Sequence, residues 1–347
     1  MSTNGMKELG YNYINLDDCW AGERLSNGTI TADPTRFPSG MENLANYVHS
    51  LGLKLGLYTD VGNVTCHGNR PGSYGYYQQD ADTYASWGID YVKMDWCDHP
   101  SEYSAQQLYT AMSKALNNTG RPMFFAICEW GLYSPWEWAP EIANSWRVGP
   151  DHLPLWWTPR TQQDPGQGQG DANIIEHMAG LSPYASPGAW NDPDFLMIGE
   201  WTYIEKSIDY QTEFSFWCLF SAPLVIATDI RNLSDKQQIL NSEAIQVNQE
   251  WAGAAGDRVA SYRDGGEVWS KPLSKSWATI LYNSNLRIRK DPITVTLTFT
   301  DLPGWSSSQN ANVYDLWSHS SIGNFTGSYS RQLSSHESAF LRVTPLD

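Results

Sequence analysis

Between residues 11 and 229 the sequence repeats one pattern: a short apolar run, a polar cluster where the run ends, and then a longer amphipathic stretch. The apolar runs span residues 11–18, 53–60, 90–95, 123–130, 144–151, 188–194 and 223–229. Strands that alternate with helices predict a parallel sheet with helical crossovers. Because polar residues end nearly every run and the sequence has no glycine-rich phosphate loop, the pattern favours a (β/α)8 TIM barrel over an open doubly wound sheet.

The stretches between the runs have helical periodicity. In residues 39–52 the apolar side chains follow an i, i+3, i+4, i+7 spacing, with Ser39 as the expected N-cap and Gly52 as the expected end of the helix. Residues 78–88 and 104–116 have the same character. These segments therefore predict the crossover helices that a barrel needs.

The two ends of the chain depart from this pattern. Seven predicted strands are one fewer than the barrel has, and residues 1–10 are typical of the end of a helix. We therefore expect residues 1–255 to form a barrel domain that is truncated at its N-terminus, with the first βα unit upstream of Met1. Residues 256–347 alternate with period two between Gly, Asp and Ser turns, which predicts a separate antiparallel β-sandwich domain.

Composition restricts the partners of the chain. A formal net charge of −16 argues against nucleic acid and against an anionic membrane surface, because both need a basic face. No apolar stretch is long enough to span a bilayer, and no signal peptide is visible. N-x-S/T triplets predict a secreted, extracellular glycoprotein with glycans at Asn27, Asn63, Asn117, Asn232 and Asn324.

The residues that end the apolar runs are the candidates for chemistry. They are Asp17, Asp18, Tyr58, Asp60, Lys93, Asp95, Glu129, Trp130, Arg147, Asp151, Asp192, Asp194 and Asp229. A barrel directs such residues into one cleft, and paired carboxylates beside aromatic rings suit glycoside hydrolysis. Carboxylates also bind Ca²⁺ or Mg²⁺, but Lys93 and Arg147 would repel a cation, so we expect neither a metal nor a cofactor.

Six segments then carry a family resemblance. In chain order they read YINLDDCW, GLYTDVGNVTCHGNRPGS, YVKMDWC, FAICEWG, NSWRVGPD and WNDPD. Together they closely resemble the α-galactosidases of glycoside hydrolase family 27 over residues 6 to about 250. The resemblance implies a retaining exo-α-galactosidase that uses double displacement, with Asp95 as nucleophile and Asp151 as acid/base. Retention implies that their carboxyl groups lie about 5–5.5 Å apart.

The resemblance also implies which residues bind the sugar. It assigns the 4- and 6-hydroxyls of galactose to Asp17 and Asp18, the 3- and 4-hydroxyls to Lys93, the 2-hydroxyl to Arg147, the pocket walls to Tyr58 and Trp130, and a further pocket position to Asp194. Glu129 and Leu132 fill the space beside the 2-position, which excludes an acetamide and favours galactose. Two simpler interpretations stay open: a strand-end Asx turn for one of the two aspartates, and core packing for the two aromatic residues.

The cysteines are interpreted through the same resemblance. It implies a disulfide between Cys66 and Cys97, while two separate buried thiols remain the alternative. Cys19 corresponds to a residue whose partner lies upstream in the family. Cys128 is expected to remain a thiol in the pocket, and Cys218 to be a buried helix residue.

Three alternatives to galactoside hydrolysis remain at this point. A related member could act on an α-N-acetylgalactosaminide or a β-L-arabinopyranoside, although carboxylates at Asp17 and Asp18 that hold a 6-hydroxyl argue against arabinose, which lacks one. A chain without its first strand could also be an inactive galactose-binding remnant. The expected partner is a small-molecule or polysaccharide substrate with a terminal α-galactose.

Overall fold

The computed structural model describes residues 1–159, 168–200, 207–233, 237–286 and 292–346. The chain forms two compact units, Met1–Arg147 and Val148–Asp347. The elements of the first unit are, in chain order, β1 (Tyr13–Asn15), β2 (Ala21–Arg24), β3 (Ile30–Ala32), α1 (Met41–Ser50), β4 (Lys54–Asp60), α2 (Tyr77–Ser86), β5 (Tyr91–Asp95), α3 (Ala105–Asn118), β6 (Phe124–Cys128) and β7 (Ser145–Arg147).

A parallel sheet is the framework of the first unit. Its strands lie in the order β1-β4-β5-β6-β7. The strands predicted from the sequence in this unit therefore pair with one another in chain order. The register places Asp60 beside Asp95, and Asp95 beside Cys128. The carboxyl ends of three central strands are therefore level, and the polar residues there share one edge of the sheet. The hairpin of β2 and β3 was not predicted from the sequence.

The crossover helices occur where periodicity predicted them. The N-cap of α1 is Gly40, with φ of 78°, and no side chain caps this end, so the prediction of Ser39 as N-cap is wrong. Gly40 adopts a left-handed φ that serine tolerates poorly. Gly52 follows the helix with φ of 70°, as expected of a terminating glycine. At α3 the Ser104 side chain accepts a bond from the backbone N–H of Gln107 and completes a capping box.

The second unit contains helices followed by antiparallel sheets. Its elements are α4 (Asp171–Met178), β8 (Trp190–Asp192), α5 (Ser207–Leu219), α6 (Ser242–Gln249), β9 (Asp257–Ser261), β10 (Gly266–Pro272), β11 (Trp277–Asn283), β12 (Ile293–Thr298), β13 (Asn310–Asp315), β14 (Ser320–Thr326), β15 (Ser328–Leu333) and β16 (Ser338–Pro345). One sheet has the order β14-β13-β16-β11-β10-β9, and β12 pairs with β15 in another. A buried apolar core draws side chains from both sheets, including Val268, Val295 and Leu341.

Six of the seven predicted runs contain a strand, and the prediction for residues 223–229 is wrong. That segment makes a single parallel bridge, in which Leu196 N donates to Val225 O (2.7 Å) and Ala227 N donates to Leu196 O (3.1 Å). Pro223 has no N–H with which to extend the pairing. The domain boundary predicted at residues 255/256 stays a prediction. No helix among the described residues is long and apolar enough to cross a bilayer.

Candidate functional site

The chain leaves several parallel strands through residues of left-handed conformation. In the first unit these are Cys19 (φ 72°) after β1, Asp98 (φ 45°) after β5 and Trp130 (φ 60°) after β6. In the second unit Asp194 follows β8 with φ of 89°. Such backbone is costly for residues other than glycine and tends to concentrate at functional sites. The strand ends that the sequence selected are thus also where the backbone is strained.

Asp95 is the last residue of β5 and is 7% exposed. Both of its carboxylate oxygens are held: Tyr58 Oη donates to Oδ2 (3.0 Å), and the backbone N of Trp96 donates to Oδ1 (3.0 Å). Burial, and then the charge of Asp95, raise the pKa of Tyr58 far above its usual value, so the phenol keeps its proton. The carboxylate of Asp95 therefore has a fixed orientation.

Asp17 and Lys93 form an ion pair beside this carboxylate. Lys93 Nζ lies 2.8 Å from Asp17 Oδ2 and 5.4 Å from the centre of the Tyr58 ring. Burial raises the pKa of Asp17. This effect is outweighed by the charge and hydrogen bond of Lys93, the N–H of Asp18 and the charge of Arg147, so the net shift of the pKa is downward. Asp17 thus stays an ionised acceptor next to a fixed ammonium donor, which is a suitable pair for sugar hydroxyls.

Asp18 has different contacts from its neighbour. Its carboxylate accepts bonds from the backbone N–H of Cys19 (2.5 Å) and of His67 (3.0 Å). These bonds hold the turn after β1 and the loop that follows β4. Asp18 thus makes hydrogen bonds of the strand-end turn type that the sequence left open as an alternative to sugar binding.

Asp60 ends β4 and connects two loops of the first unit. Its fully buried carboxyl accepts bonds from Gly62 N (2.7 Å) and Cys97 N (2.9 Å). Burial raises its pKa to about 8, and the charge of Asp95 contributes in the same direction. Cys66 and Cys97 form a disulfide beside it, which confirms that prediction. Both sulfurs are used in this bond, so these residues do not form a metal site with Asp60.

The residues after β6 form a tight turn. The buried carboxyl of Glu129 accepts a bond from Tyr133 N (2.9 Å), and Trp130 and Leu132 are half-buried. Burial raises the pKa of Glu129 to about 8, against the opposing effect of the N–H groups of this turn and the charge of Arg147. Arg147 is itself 3% exposed and lies with Nη1 3.4 Å from Cys128 Sγ. Glu129 therefore shapes the turn through its carboxyl group.

The second unit holds the predicted acid/base, Asp151, and the predicted pocket residue, Asp194. Asp151 is exposed, and its carbonyl oxygen accepts a bond from Gln169 N (2.7 Å). Asp194 is 4% exposed. Its Oδ2 accepts from His152 N (2.8 Å), its N donates to Asp192 Oδ1 (2.8 Å), and its carbonyl oxygen accepts from Trp217 Nε1 (2.8 Å). The structure thus links the residue after Asp151 directly to Asp194.

Sequence reasoning missed His152. Its ring is fully buried and lies 2.9 Å from Asp171 and 3.9 Å from Glu213. These three residues are of metal-ligand type and close together. However, Nδ1 already contacts the carbonyl oxygen of Phe195 (2.7 Å), and Nε2 faces Asp171, so the ring is part of a buried polar cluster. The signal in the sequence was a histidine directly beside a strand-end aspartate.

The five predicted glycosylation sites all carry an exposed asparagine. They lie at Asn27, Asn63, Asn117, Asn232 and Asn324. The third residue of one triplet, Ser234, falls outside the described residues. Exposure is a requirement for a glycan, so glycosylation stays a prediction that the surface permits.

Comparisons with known proteins agree over nearly the whole chain. A family model described as alpha galactosidase A matches residues 1–250, and a model of the alpha galactosidase C-terminal beta sandwich domain matches residues 263–343. The alpha-galactosidase of Cyamopsis tetragonoloba is 41% identical over 349 residues, covering 99% of this chain and 80% of that protein. The crystal structure of alpha-galactosidase I from Mortierella vinacea has a TM-score of 0.91 at 34% identity, covering 99% of this chain and 89% of that one.

A more distant structure extends the agreement. The alpha-galactosidase of Saccharomyces cerevisiae, solved with raffinose, has a TM-score of 0.89 at 26% identity and covers 99% of this chain and 91% of its own. Together with the family models, these matches confirm the predicted fold class, a TIM-barrel-type α/β domain followed by an antiparallel β-sandwich.

Proposed function

The chain belongs to the alpha-galactosidase family, as its sequence resemblance predicted, and we propose that it is a retaining exo-α-galactosidase. Its substrates are terminal α-D-galactosyl residues of oligosaccharides, galactomannans or glycolipids. The observation that carries the proposal is the strand-end arrangement of the first unit. There the Asp95 carboxylate is held by Tyr58, beside the ion pair of Lys93 and Asp17, in a member of this family.

The proposed reaction has two displacements. In the first, an oxygen of Asp95 attacks the anomeric carbon while Asp151 gives its proton to the glycosidic oxygen, which leaves as an alcohol. In the second, Asp151 takes a proton from water, and that water attacks the same carbon from the side the alcohol left. The bond to Asp95 breaks, so galactose departs with its α configuration and both carboxyl groups return to their starting states.

The roles of the remaining residues follow from their chemistry. Tyr58 orients the attacking carboxylate through its O–H, while Asp17 and Lys93 supply an acceptor and a donor for neighbouring sugar hydroxyls. We assign Asp18 to the 6-hydroxyl, Arg147 to the 2-hydroxyl and Asp194 to the sugar pocket. We assign Trp130 to a wall beside the sugar. Glu129 and Leu132 restrict the space beside the 2-position.

The compartment is part of the proposal. A disulfide between Cys66 and Cys97 is stable in an oxidising environment, and five exposed asparagines in N-x-S/T triplets are compatible with glycans. Both features support a secreted glycoprotein that meets its sugar substrate outside the cell.

A panel of substrates tests the proposed specificity. The purified chain is given the p-nitrophenyl derivatives of α-D-galactose, α-N-acetyl-D-galactosamine and β-L-arabinopyranose, and raffinose is tested separately. We expect turnover of raffinose, and the α-galactoside to exceed the other two aryl glycosides in kcat/KM by about 10²-fold or more. A higher kcat/KM for either competitor would contradict the specificity, and no turnover of any of them by a folded chain would contradict the enzyme.

A further inference from the structure

His152 directly follows Asp151, and no step of the proposed mechanism uses it. Its side chain is fully buried, although Asp151 is exposed. Burying an imidazole costs free energy unless its nitrogen atoms find polar partners. One of the partners of the His152 ring, Phe195, directly follows Asp194, the other proposed site residue of this unit.

Three contacts connect His152 to the segment that follows β8. The backbone N of His152 donates to Asp194 Oδ2 (2.8 Å), and its ring Nδ1 lies 2.7 Å from the carbonyl oxygen of Phe195. The ring also stacks on Trp217, with centroids 5.4 Å apart, and Trp217 Nε1 donates to the carbonyl oxygen of Asp194 (2.8 Å). His152 is thus attached to Asp194 and its neighbour through its backbone, through its ring and through a shared tryptophan.

Each ring nitrogen of His152 lies beside a polar group. A carbonyl oxygen only accepts, so Nδ1 carries a proton in the contact with Phe195. The other nitrogen, Nε2, lies 2.9 Å from Asp171 Oδ1. The ring is oriented from both sides, by the first residue of α4 and by the segment after β8.

The backbone around Asp151 is also held by Gln169. The carbonyl oxygen of Asp151 accepts from Gln169 N (2.7 Å), and Leu153 N donates to the carbonyl oxygen of Gln169 (2.7 Å). The residues on both sides of His152 are thus bonded to Gln169. His152 itself directs its N–H to Asp194 and its ring to Phe195. A side chain at position 152 that cannot make the ring contacts would lose the ring's attachment to the segment after β8 and keep the bonds to Gln169.

We propose that His152 is a positioning residue that fixes Asp151 relative to Asp194, so that the acid/base meets the glycosidic oxygen of the bound sugar. This inference rests on the proposed function. A catalytic group displaced by about 1 Å can lose about 10²-fold in rate. Because His152 acts through Asp151, its loss weakens proton donation to the leaving group and leaves the attack by Asp95 largely intact.

The test compares two substrates that differ in their need for that proton. Raffinose releases a poor leaving group, whereas 2,4-dinitrophenyl α-D-galactoside releases a phenolate that needs no protonation. For His152→Leu we expect kcat/KM to fall about 10²-fold on raffinose and less than about 5-fold on the dinitrophenyl galactoside. For His152→Asn we expect most of the raffinose activity to remain, because the asparagine amide can donate to the carbonyl oxygen of Phe195 from the position of Nδ1.

Two further variants keep the test decisive. His336→Asn alters another buried histidine, whose ring lies 2.9 Å from Asp209, and should lower stability without any difference between the two substrates. If His152→Leu does not fold, His152→Gln replaces it, because the glutamine amide reaches toward Asp171 but not toward Phe195. An equal loss on both substrates, or a loss in His152→Asn as large as in His152→Leu, would overturn the inference. Inactivity of the unmodified chain on both galactosides would instead be the failure of the proposed function.

Discussion

Among the single residues of the site, Asp17 and Asp18 show how adjacent carboxylates acquire different tasks. Lys93 is the partner of Asp17 and keeps it ionised, whereas Asp18 accepts bonds from backbone N–H groups. The family resemblance predicted both as sugar ligands and left a turn role open for one of them, because the sequence shows only that two acids follow a strand. Which of them faces a cation depends on β5, a strand that is distant in the chain and separated from β1 by β4 in the sheet.

Replacing Lys93 tests the importance of this ion pair. In Lys93→Met, Asp17 keeps its desolvation but loses its cation, and the sugar loses a donor. We expect a loss of about 2–3 kcal/mol in transition-state binding, or roughly 30- to 160-fold in kcat/KM on p-nitrophenyl α-D-galactoside. Lys54→Met is the matched control, since this exposed lysine begins the adjacent strand β4 at its other end. Equal effects of the two substitutions would contradict the assignment.

Glu129 gives a prediction about pH. Burial raises its pKa from 4.5 to about 8, so between these values the folded chain binds a proton that the unfolded chain has released. Its contribution to stability is therefore complete below about pH 4.5 and is lost as the pH rises to about 8. In Glu129→Gln we expect the free energy of unfolding to decline less steeply over this range, by up to about 1.4 kcal/mol per pH unit. Urea denaturation at several pH values measures this free energy, with the exposed Glu137→Gln as the control. If Glu129→Gln left the slope of the free energy against pH unchanged, the raised pKa of Glu129 would be contradicted.

At the level of elements, the disulfide connects the loops after β4 and β5. Cys66 and Cys97 are 31 residues apart, and a closed loop of this size restricts the unfolded chain substantially. We expect the double substitution to alanine to lower the free energy of unfolding by about 3 kcal/mol in urea. Cys19→Ser, measured in the same way, changes a cysteine outside the disulfide. A double variant as stable as the unmodified chain would show that other contacts hold these loops.

Lys271 in β10 connects the β-sandwich with the helices of the second unit. Its buried ammonium group donates to Ser221 Oγ and to the carbonyl oxygens of Val247 and Asn248, which lie beyond α5 and within α6. Lys271→Met leaves these acceptors without their donor, and we expect a loss of about 2 kcal/mol in the free energy of unfolding. The exposed Lys275→Met is the control, and similar stabilities of the two variants would contradict the structural role.

The elements also show what the sequence could and could not predict. The runs that became β4, β5 and β6 were recognisable because buried parallel strands are continuous apolar segments. The run at 223–229 is equally apolar, but among the described residues its strand pairing is a single bridge to Leu196, and this depends on tertiary pairing that periodicity does not contain. The N-cap of α1 was misplaced for a local reason, because the left-handed glycine at position 40 outweighs the capping preference of Ser39.

For the whole molecule, the sequence predicts the residues of the site but not the hydrogen bonds that hold the site in place. Asp95, Lys93 and Tyr58 could be selected from the sequence because each ends or lies in a strand and belongs to a family motif. Asp60 and His152 gain their importance from backbone N–H groups and carbonyl oxygens of distant segments. Such contacts leave no spacing pattern, so only the folded chain reveals them.

Asp95 is the proposed nucleophile of a retaining galactosidase, and one combined measurement tests both parts of this proposal. It follows release of p-nitrophenol from p-nitrophenyl α-D-galactoside, with proton NMR of the sugar that forms first, for the unmodified chain, Asp95→Asn and the exposed control Asp98→Asn. The account predicts α-galactose as the first product and a fall in kcat of at least about 10⁴-fold in Asp95→Asn alone. β-Galactose as the first product, or substantial turnover by Asp95→Asn, would contradict it.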